Sequence, residues 1–246
     1  MKTIILAGGF GARLKSVIAD VPKPMAPVNG RPFLELLLQK LRCGGMTDII
    51  LSVGYKMEVI RDHFTDGLPS GMSLSYSEEA SPLGTGGALK AAMVRYPDDC
   101  YLALNGDSLF DCDLLELIRY HRSKRAAITM ALAHVEDIGR YGSVVTAPDG
   151  AIARFTEKSG SGPGTINAGV YVIEGGVMSS IPGEVFSFEK DVLLASVGKG
   201  LFGLRQEGFF IDIGVPADYR YCCEKFAGIN RFAPNGSTDA PCPAER

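Results

Sequence analysis

Apolar residues open this chain as a short block, Ile4-Ile5-Leu6-Ala7, followed at once by Gly8-Gly9-Phe10-Gly11. A block of that length stopped by glycine reads as a buried strand running into a turn. Pro32 stands at a first helical position, and Phe33, Leu34, Leu37, Leu38 and Leu41 fall on one helical face before Gly44-Gly45 ends it, so this stripe is core. Residues 48–53 predict a strand, 56–64 a helix, 72–77 a strand, 84–94 a helix opened by a second glycine-rich turn, and 100–104 a buried strand. Strands alternating with helices predict a doubly wound parallel sheet.

From residue 127 the pattern changes to strands, at 127–133, 142–146, 152–156 and 165–172, with Pro148-Asp149-Gly150 turning between the middle pair. These predict a mixed, curved sheet lining a second pocket. Residues 187–191 read as a helix start with early acids, 201–206 and 208–211 as short strands, and Gly214 and Pro216 mark the turn into a last helix ending near residue 225. Residues 233–246 lack apolar periodicity and predict a disordered tail.

Composition narrows the function classes. With 246 residues and 46% hydrophobic content the chain can bury a large core, and one domain spanning 1–232 is expected. A net charge of -3 with scattered Lys and Arg supplies no basic field, so neither nucleic acid nor a membrane is an expected partner. The opening apolar block is too short for a signal-peptide core or a spanning helix, which makes the cytoplasm the expected location. Six cysteines contain no Cys-x-x-Cys pair and are expected as free, mostly packing thiols.

Charged ligands must then be held by local devices. The glycine turn ending in Arg13 reads as a triphosphate cradle, because glycine permits positive φ and close approach of backbone N–H groups to an anion. It lacks the Gly-Lys-Ser/Thr of a Walker loop, and Leu14 stands where a dinucleotide fingerprint needs its third glycine. An ordinary bend with a surface arginine suits the glycines equally well. Pro22, Pro24 and Pro27 fix extended backbone around Lys23, which either meets a phosphate or is solvated on a stiffened loop. Residues 15–20 are polar and expected to be mobile.

The carboxylates of Glu78-Glu79 precede the second glycine turn and can accept from a base edge, or else stand as exposed acids at a helix N-terminus. Asp107 closes a buried strand through Gly106, where ligands of open parallel sheets collect, and is the first metal candidate; its rival reading is a helix cap, a role open also to Asp111 and Asp113. Asp212 closes a later strand and is the second. Glu157 and Lys158 end a strand, where neighbouring side chains point to opposite faces. The three histidines, His63, His121 and His134, lie away from every motif.

Together these clusters resemble the sugar-1-phosphate nucleotidyltransferase family, with Leu6-Ala7-Gly8-Gly9, Gly11, Arg13-Leu14, Pro22-Lys23-Pro24-Met25, Leu83-Gly84-Thr85, Gly87-Ala88-Leu89, Gly106-Asp107, Glu157-Lys158, Asn167 with Gly169, and Asp212-Ile213-Gly214 with Pro216 in order. The resemblance implies a Rossmann-like α/β/α fold with a mixed, mostly parallel central sheet. It implies a nucleotide-binding half over about 1–125 and a sugar-phosphate-binding half over about 126–232. Leu6, Gly8, Gly9, Gly11, Arg13, Lys23, Glu79, Gly84, Thr85 and Asp107 are implied on the nucleotide. Asn105, Gly142, Glu157, Lys158, Asn167 and Gly169 are implied on the sugar phosphate, with Arg13, Lys23, Asp107 and Asp212 catalytic and Asp107 and Asp212 holding Mg²⁺. Within the family the chain is most similar to the guanylyltransferases acting on D-glycero-α-D-manno-heptose 1-phosphate, which implies GTP and that sugar phosphate as substrates. Another base and sugar pairing, mannose 1-phosphate included, is the nearest alternative, and a non-catalytic nucleotide-sugar-binding subunit is the alternative of a different class. Met57, Phe64 and Phe232 are candidates for a homodimer face.

Overall fold

A computed structural model describes residues 1–9, 14, 18, 21–65, 67–156 and 160–227. The expectations for Gly11, Arg13, the 15–20 loop apart from Ile18, Glu157, Lys158, Phe232 and the 233–246 tail fall outside these residues.

The chain begins with β1 (Lys2–Leu6), a small antiparallel pair β2 (Pro27–Val28) and β3 (Arg31–Pro32), and helix α1 (Phe33–Cys43). Strand β4 (Asp48–Val53), α2 (Met57–Thr65), β5 (Ser73–Glu78), α3 (Gly84–Arg95) and β6 (Cys100–Asn105) follow in strict alternation. Then come β7 (Ser108–Phe110), α4 (Leu114–Lys124), β8 (Ile128–Val135), β9 (Val144–Thr146), β10 (Ile152–Phe155), β11 (Gly164–Glu174), α5 (Gly176–Ser179), β12 (Leu201–Arg205), β13 (Phe210–Asp212) and α6 (Pro216–Phe226).

Seven strands form one sheet in the order β12-β8-β11-β6-β1-β4-β5. Its pairings are parallel except on either side of β11, which runs antiparallel to both β6 and β8. The alternation of side chains along β1 sends Ile5 to one face and Ile4 to the other, where separate buried clusters cover the sheet. Leu34, Leu37, Leu38 and Leu41 of α1 are buried in the first of these as their spacing predicts, and Gly44 caps that helix.

Three expectations need correction. Strands β8, β11 and β12 extend the central sheet and do not build a second one; β9 and β10 form a separate ribbon, and β13 pairs with β7 in another. Residues 23–25 make a 3-10 turn inside the proline segment, since proline's fixed φ suits that helix's first position as well as extended chain. The expected helix start after Ser187 is present, with Ser187 accepting the Lys190 N–H and Glu189 and Asp191 in the first turn; the helix is of the wide π type over Phe188–Leu193, and its Phe188, Val192 and Leu193 are buried. Phe64 is 5% exposed in the core, so it presents no subunit face, and Met57 packs partly buried against the same core.

Candidate active site

Parallel neighbours β1 and β6 align Leu6 with Asn105, which brings the first glycine turn beside Gly106-Asp107 at the carboxyl ends of both strands. Gly106 donates its N–H to the Leu6 carbonyl at 3.0 Å, and a Cβ on Gly106 would lie 2.5 Å from that oxygen. Only glycine lets the chain turn here and present Asp107. Asp212 arrives from the far end of the sequence because β13 pairs antiparallel with β7, aligning Asp212 with Ser108, and Ile213 N–H donates to the Asp107 carbonyl at 3.0 Å.

Lys23 joins the two acids. Its Nζ lies 2.5 Å from Asp107 Oδ2 and 3.4 Å from Asp212 Oδ1, and the lysine side chain is only 10% exposed. The Gly214 N–H also donates to Asp212 Oδ1, at 2.6 Å. Burial, and then the charge of Asp107, push the Asp212 carboxyl above the usual carboxylate range despite the lysine. Two facing carboxylates with one monovalent cation between them leave negative charge uncompensated. An all-oxygen donor pair of that kind suits a hard divalent cation such as Mg²⁺.

A cavity of about 1210 Å³ opens over these groups. Leu6, Gly8, Gly9, Lys23, Glu79, Gly84, Thr85, Asn105, Asp107, Gly142, Asn167, Gly169 and Asp212 all line it, so sites expected from both halves meet in one space rather than in two pockets. That volume exceeds the usual range for a single small ligand and leaves room for two.

The walls are built differently. Gly8 and Gly9 are not in the positive-φ region, contrary to expectation. What Gly8 provides is proximity: a Cβ there would stand 2.7 Å from Glu79 Oε1, whereas a Cβ on Gly9 would have nothing among the described residues within 4 Å. Glu79 is fixed by the Ser52 hydroxyl, which donates to Oε1 at 3.1 Å, and by the Leu83 N–H, which donates to Oε2 at 3.1 Å. Acceptor capacity remains on both oxygens.

Gly84 does take positive φ, +71°, and a Cβ there would meet the Phe186 carbonyl at 2.6 Å. That same carbonyl accepts from the Gly86 and Gly87 N–H groups at 3.0 and 3.3 Å, so these first-turn amides of α3 are occupied by the chain itself. The Thr85 hydroxyl donates to Glu189 Oε2 at 2.7 Å and accepts from the Phe188 N–H at 2.9 Å.

On the opposite wall a bulge in β11, between Asn167 and Tyr171, places Gly169 at φ +73° against Asn105. Asn167 donates to the Tyr171 hydroxyl at 2.8 Å and accepts the Gly169 N–H at 3.1 Å. Burial, then Glu189's charge, raise the Tyr171 phenol, which stays neutral. Gly142 takes φ +74°, and the neighbouring Tyr141 ring packs edge-on against Phe210 with ring centroids 5.5 Å apart. Ser52 and Glu189 were not singled out from the sequence. Ser52 was legible as the one polar side chain inside an apolar run, but nothing before the fold links residue 189 to residue 85.

The family model described as Nucleotidyl transferase matches residues 2–221. The chain is 41% identical over 222 residues to the D-glycero-alpha-D-manno-heptose 1-phosphate guanylyltransferase of Aneurinibacillus thermoaerophilus, covering 89% of this chain and 96% of that one. It is 36% identical over 221 residues to the mannose-1-phosphate guanylyltransferase of Mycobacterium tuberculosis, covering 88% of this chain and 62% of that relative. The crystal structure of HddC from Yersinia pseudotuberculosis complexed with GMP-PN superposes with a TM-score of 0.82 at 36% identity, covering 92% of this chain and 99% of HddC.

Proposed function

The chain belongs to the nucleotidyl transferase family, and from that premise we propose that it joins GTP to D-glycero-α-D-manno-heptose 1-phosphate, releasing pyrophosphate and forming GDP-heptose. The observation that carries the transfer reading is the pair of carboxylates bridged by buried Lys23 at the floor of a cavity large enough for two substrates. The choice of base and sugar rests on the likeness to the heptose 1-phosphate guanylyltransferases, which extends over nearly their full length.

In this reading an oxygen of the sugar phosphate attacks the α-phosphorus of the triphosphate. One P–O bond forms, the α–β bridge breaks, and pyrophosphate leaves. The nucleophile is already anionic at neutral pH, since a phosphate monoester loses its second proton near pH ~6. No general base is needed, in keeping with the histidines: His63 pairs with Glu35 near the surface, His121 is buried against Thr129 and Glu174, and His134 is exposed on β8. The obstacle is bringing two anions together, and Lys23 with Arg13 and Lys158 supplies fixed positive charge. Mg²⁺ held by Asp107 and Asp212 would neutralise and align the phosphates.

Glu79, with free acceptor sites on a carboxylate that Ser52 and Leu83 immobilise, suits the paired donors on the edge of guanine. Asn105, Asn167 and Gly169 sit across the cavity and suit the sugar phosphate. Asp107→Ala is expected to remove most turnover, by 100-fold or more on the order of one lost charge-stabilising group, while the chain stays folded. Near-normal pyrophosphate release by that variant sinks the catalytic assignment. Pyrophosphate release across the common nucleoside triphosphates crossed with heptose, mannose and glucose 1-phosphates tests specificity. Highest kcat/KM for GTP with heptose phosphate is expected, and silence across the whole panel would favour a non-catalytic binding subunit.

A further inference from the structure

At the end of β6 opposite Asp107, three side chains of different chemistry converge. Cys100 and Glu174 are direct cross-strand partners where β6 pairs with β11, and His121 of α4 closes over them. The sulfur, a ring nitrogen and a carboxylate oxygen all lie within 4.8 Å of one another. His121 is 1% exposed, its Nε2 lies 3.0 Å from Glu174 Oε1, and its Nδ1 lies 2.9 Å from the hydroxyl of fully buried Thr129. The Cys100 thiol lies within the field of the same Glu174 carboxylate. Half of the Glu174 side chain is exposed, which leaves a way in from solvent.

We propose that Cys100, His121 and Glu174 bind one Zn²⁺-class divalent cation. The donor set decides the metal class: thiolate, imidazole and carboxylate are zinc's ligands, while Mg²⁺ and Ca²⁺ take oxygen alone. The Thr129 hydroxyl fits the requirement for a partner behind the ligating histidine, because it can accept from Nδ1–H and thereby free the Nε2 lone pair for the ion. Three protein ligands leave a fourth position to water. Binding releases the thiol proton to solvent, and the cation replaces it as the partner of both Cys100 and Glu174.

Without a metal, burial and the Glu174 charge push the thiol up to about 11, so the cluster rests as a neutral thiol beside a His–Glu pair. The five residue steps from Cys100 to Asn105 along β6 separate this cluster from the cleft by roughly 16 Å. The ion therefore staples β6, β11 and α4 and takes no part in the proposed transfer.

Co²⁺ added alone to the purified full chain is the probe. The wild type is expected to develop a thiolate-to-cobalt absorption band saturating at one equivalent and erased by Zn²⁺, and Zn²⁺ should raise its melting temperature. Cys100→Ser is expected to lose the band and the stabilisation, and Glu174→Gln, a more exposed change, to weaken Co²⁺ binding at least tenfold while still folding. Asp107→Asn should keep the band. Absence of the band in the wild type, its persistence in Cys100→Ser, or its loss in Asp107→Asn overturns the proposal, whatever the fate of the transferase reading.

Discussion

Two glycine-rich turns flank the cleft, one after β1 and one opening α3, and they look alike in the sequence. In the structure they do different work. The second is filled by its own chain: Phe186 and Glu184 occupy the space that side chains at residues 84, 86 and 87 would need, and the Phe186 carbonyl takes the first amides of α3. The first turn, over its described residues, leaves Gly9 open to the cavity and packs Gly8 against the carboxylate of Glu79 and, less tightly, the Gly54 amide. A glycine run signals a tight place, and what makes the place tight is decided elsewhere in the chain. One turn is small so that a distant segment can dock; the other is small so that the Glu79 carboxylate can come close.

Substitutions can break or sharpen this contrast. Gly87→Ala sets a methyl 2.0 Å from the Glu184 carbonyl and should cost about 3 kcal/mol in denaturant unfolding, the upper end of ordinary overpacking. Unchanged stability with lost activity would mean that the second turn faces ligand after all. Gly8→Ala should displace Glu79 and lower kcat/KM for the nucleotide about tenfold, a transition-state loss of roughly 1.4 kcal/mol, with the unfolding midpoint little moved. A large fall in stability there would erase the distinction between the turns.

Ser52→Ala removes one of the two donors that hold Glu79 and is expected to raise the nucleotide KM several-fold, in line with about 1 kcal/mol for a single hydrogen bond. The KM for the sugar phosphate should not follow. Gly9→Ala, with nothing among the described residues within 4 Å, is expected to change steady-state rates less than about threefold, within the usual range for an unconstrained site. A tenfold loss would point instead to backbone contact with the triphosphate.

Legibility differed along the chain for physical reasons. The first half follows the simplest pattern, apolar strand runs alternating with amphipathic helices, and β4 spans Asp48–Val53 as its apolar run predicts. Asp113 caps α4 by accepting the Glu116 N–H at 2.9 Å, the local role for which it and Asp107 had both been candidates. The strands after residue 127 were recognisable one by one, yet their membership of the central sheet was not, because register and partner depend on contacts between distant segments. The insertion of antiparallel β11 between β6 and β8 brings Asn167 and Gly169 to the cleft.

The sequence by itself determined the elements, the likeness to a family and the residue types gathered for charge: Lys23, Asp107 and Asp212. Those are local matters of periodicity, turn chemistry and short motifs. Only the tertiary structure decided that Lys23 sits between the two aspartates, that Ser52 and Leu83 fix Glu79, and that Cys100, His121 and Glu174 meet at the other end of β6. Side chains separated by up to 189 positions become neighbours through strand pairing, and no local pattern encodes which pairs those will be.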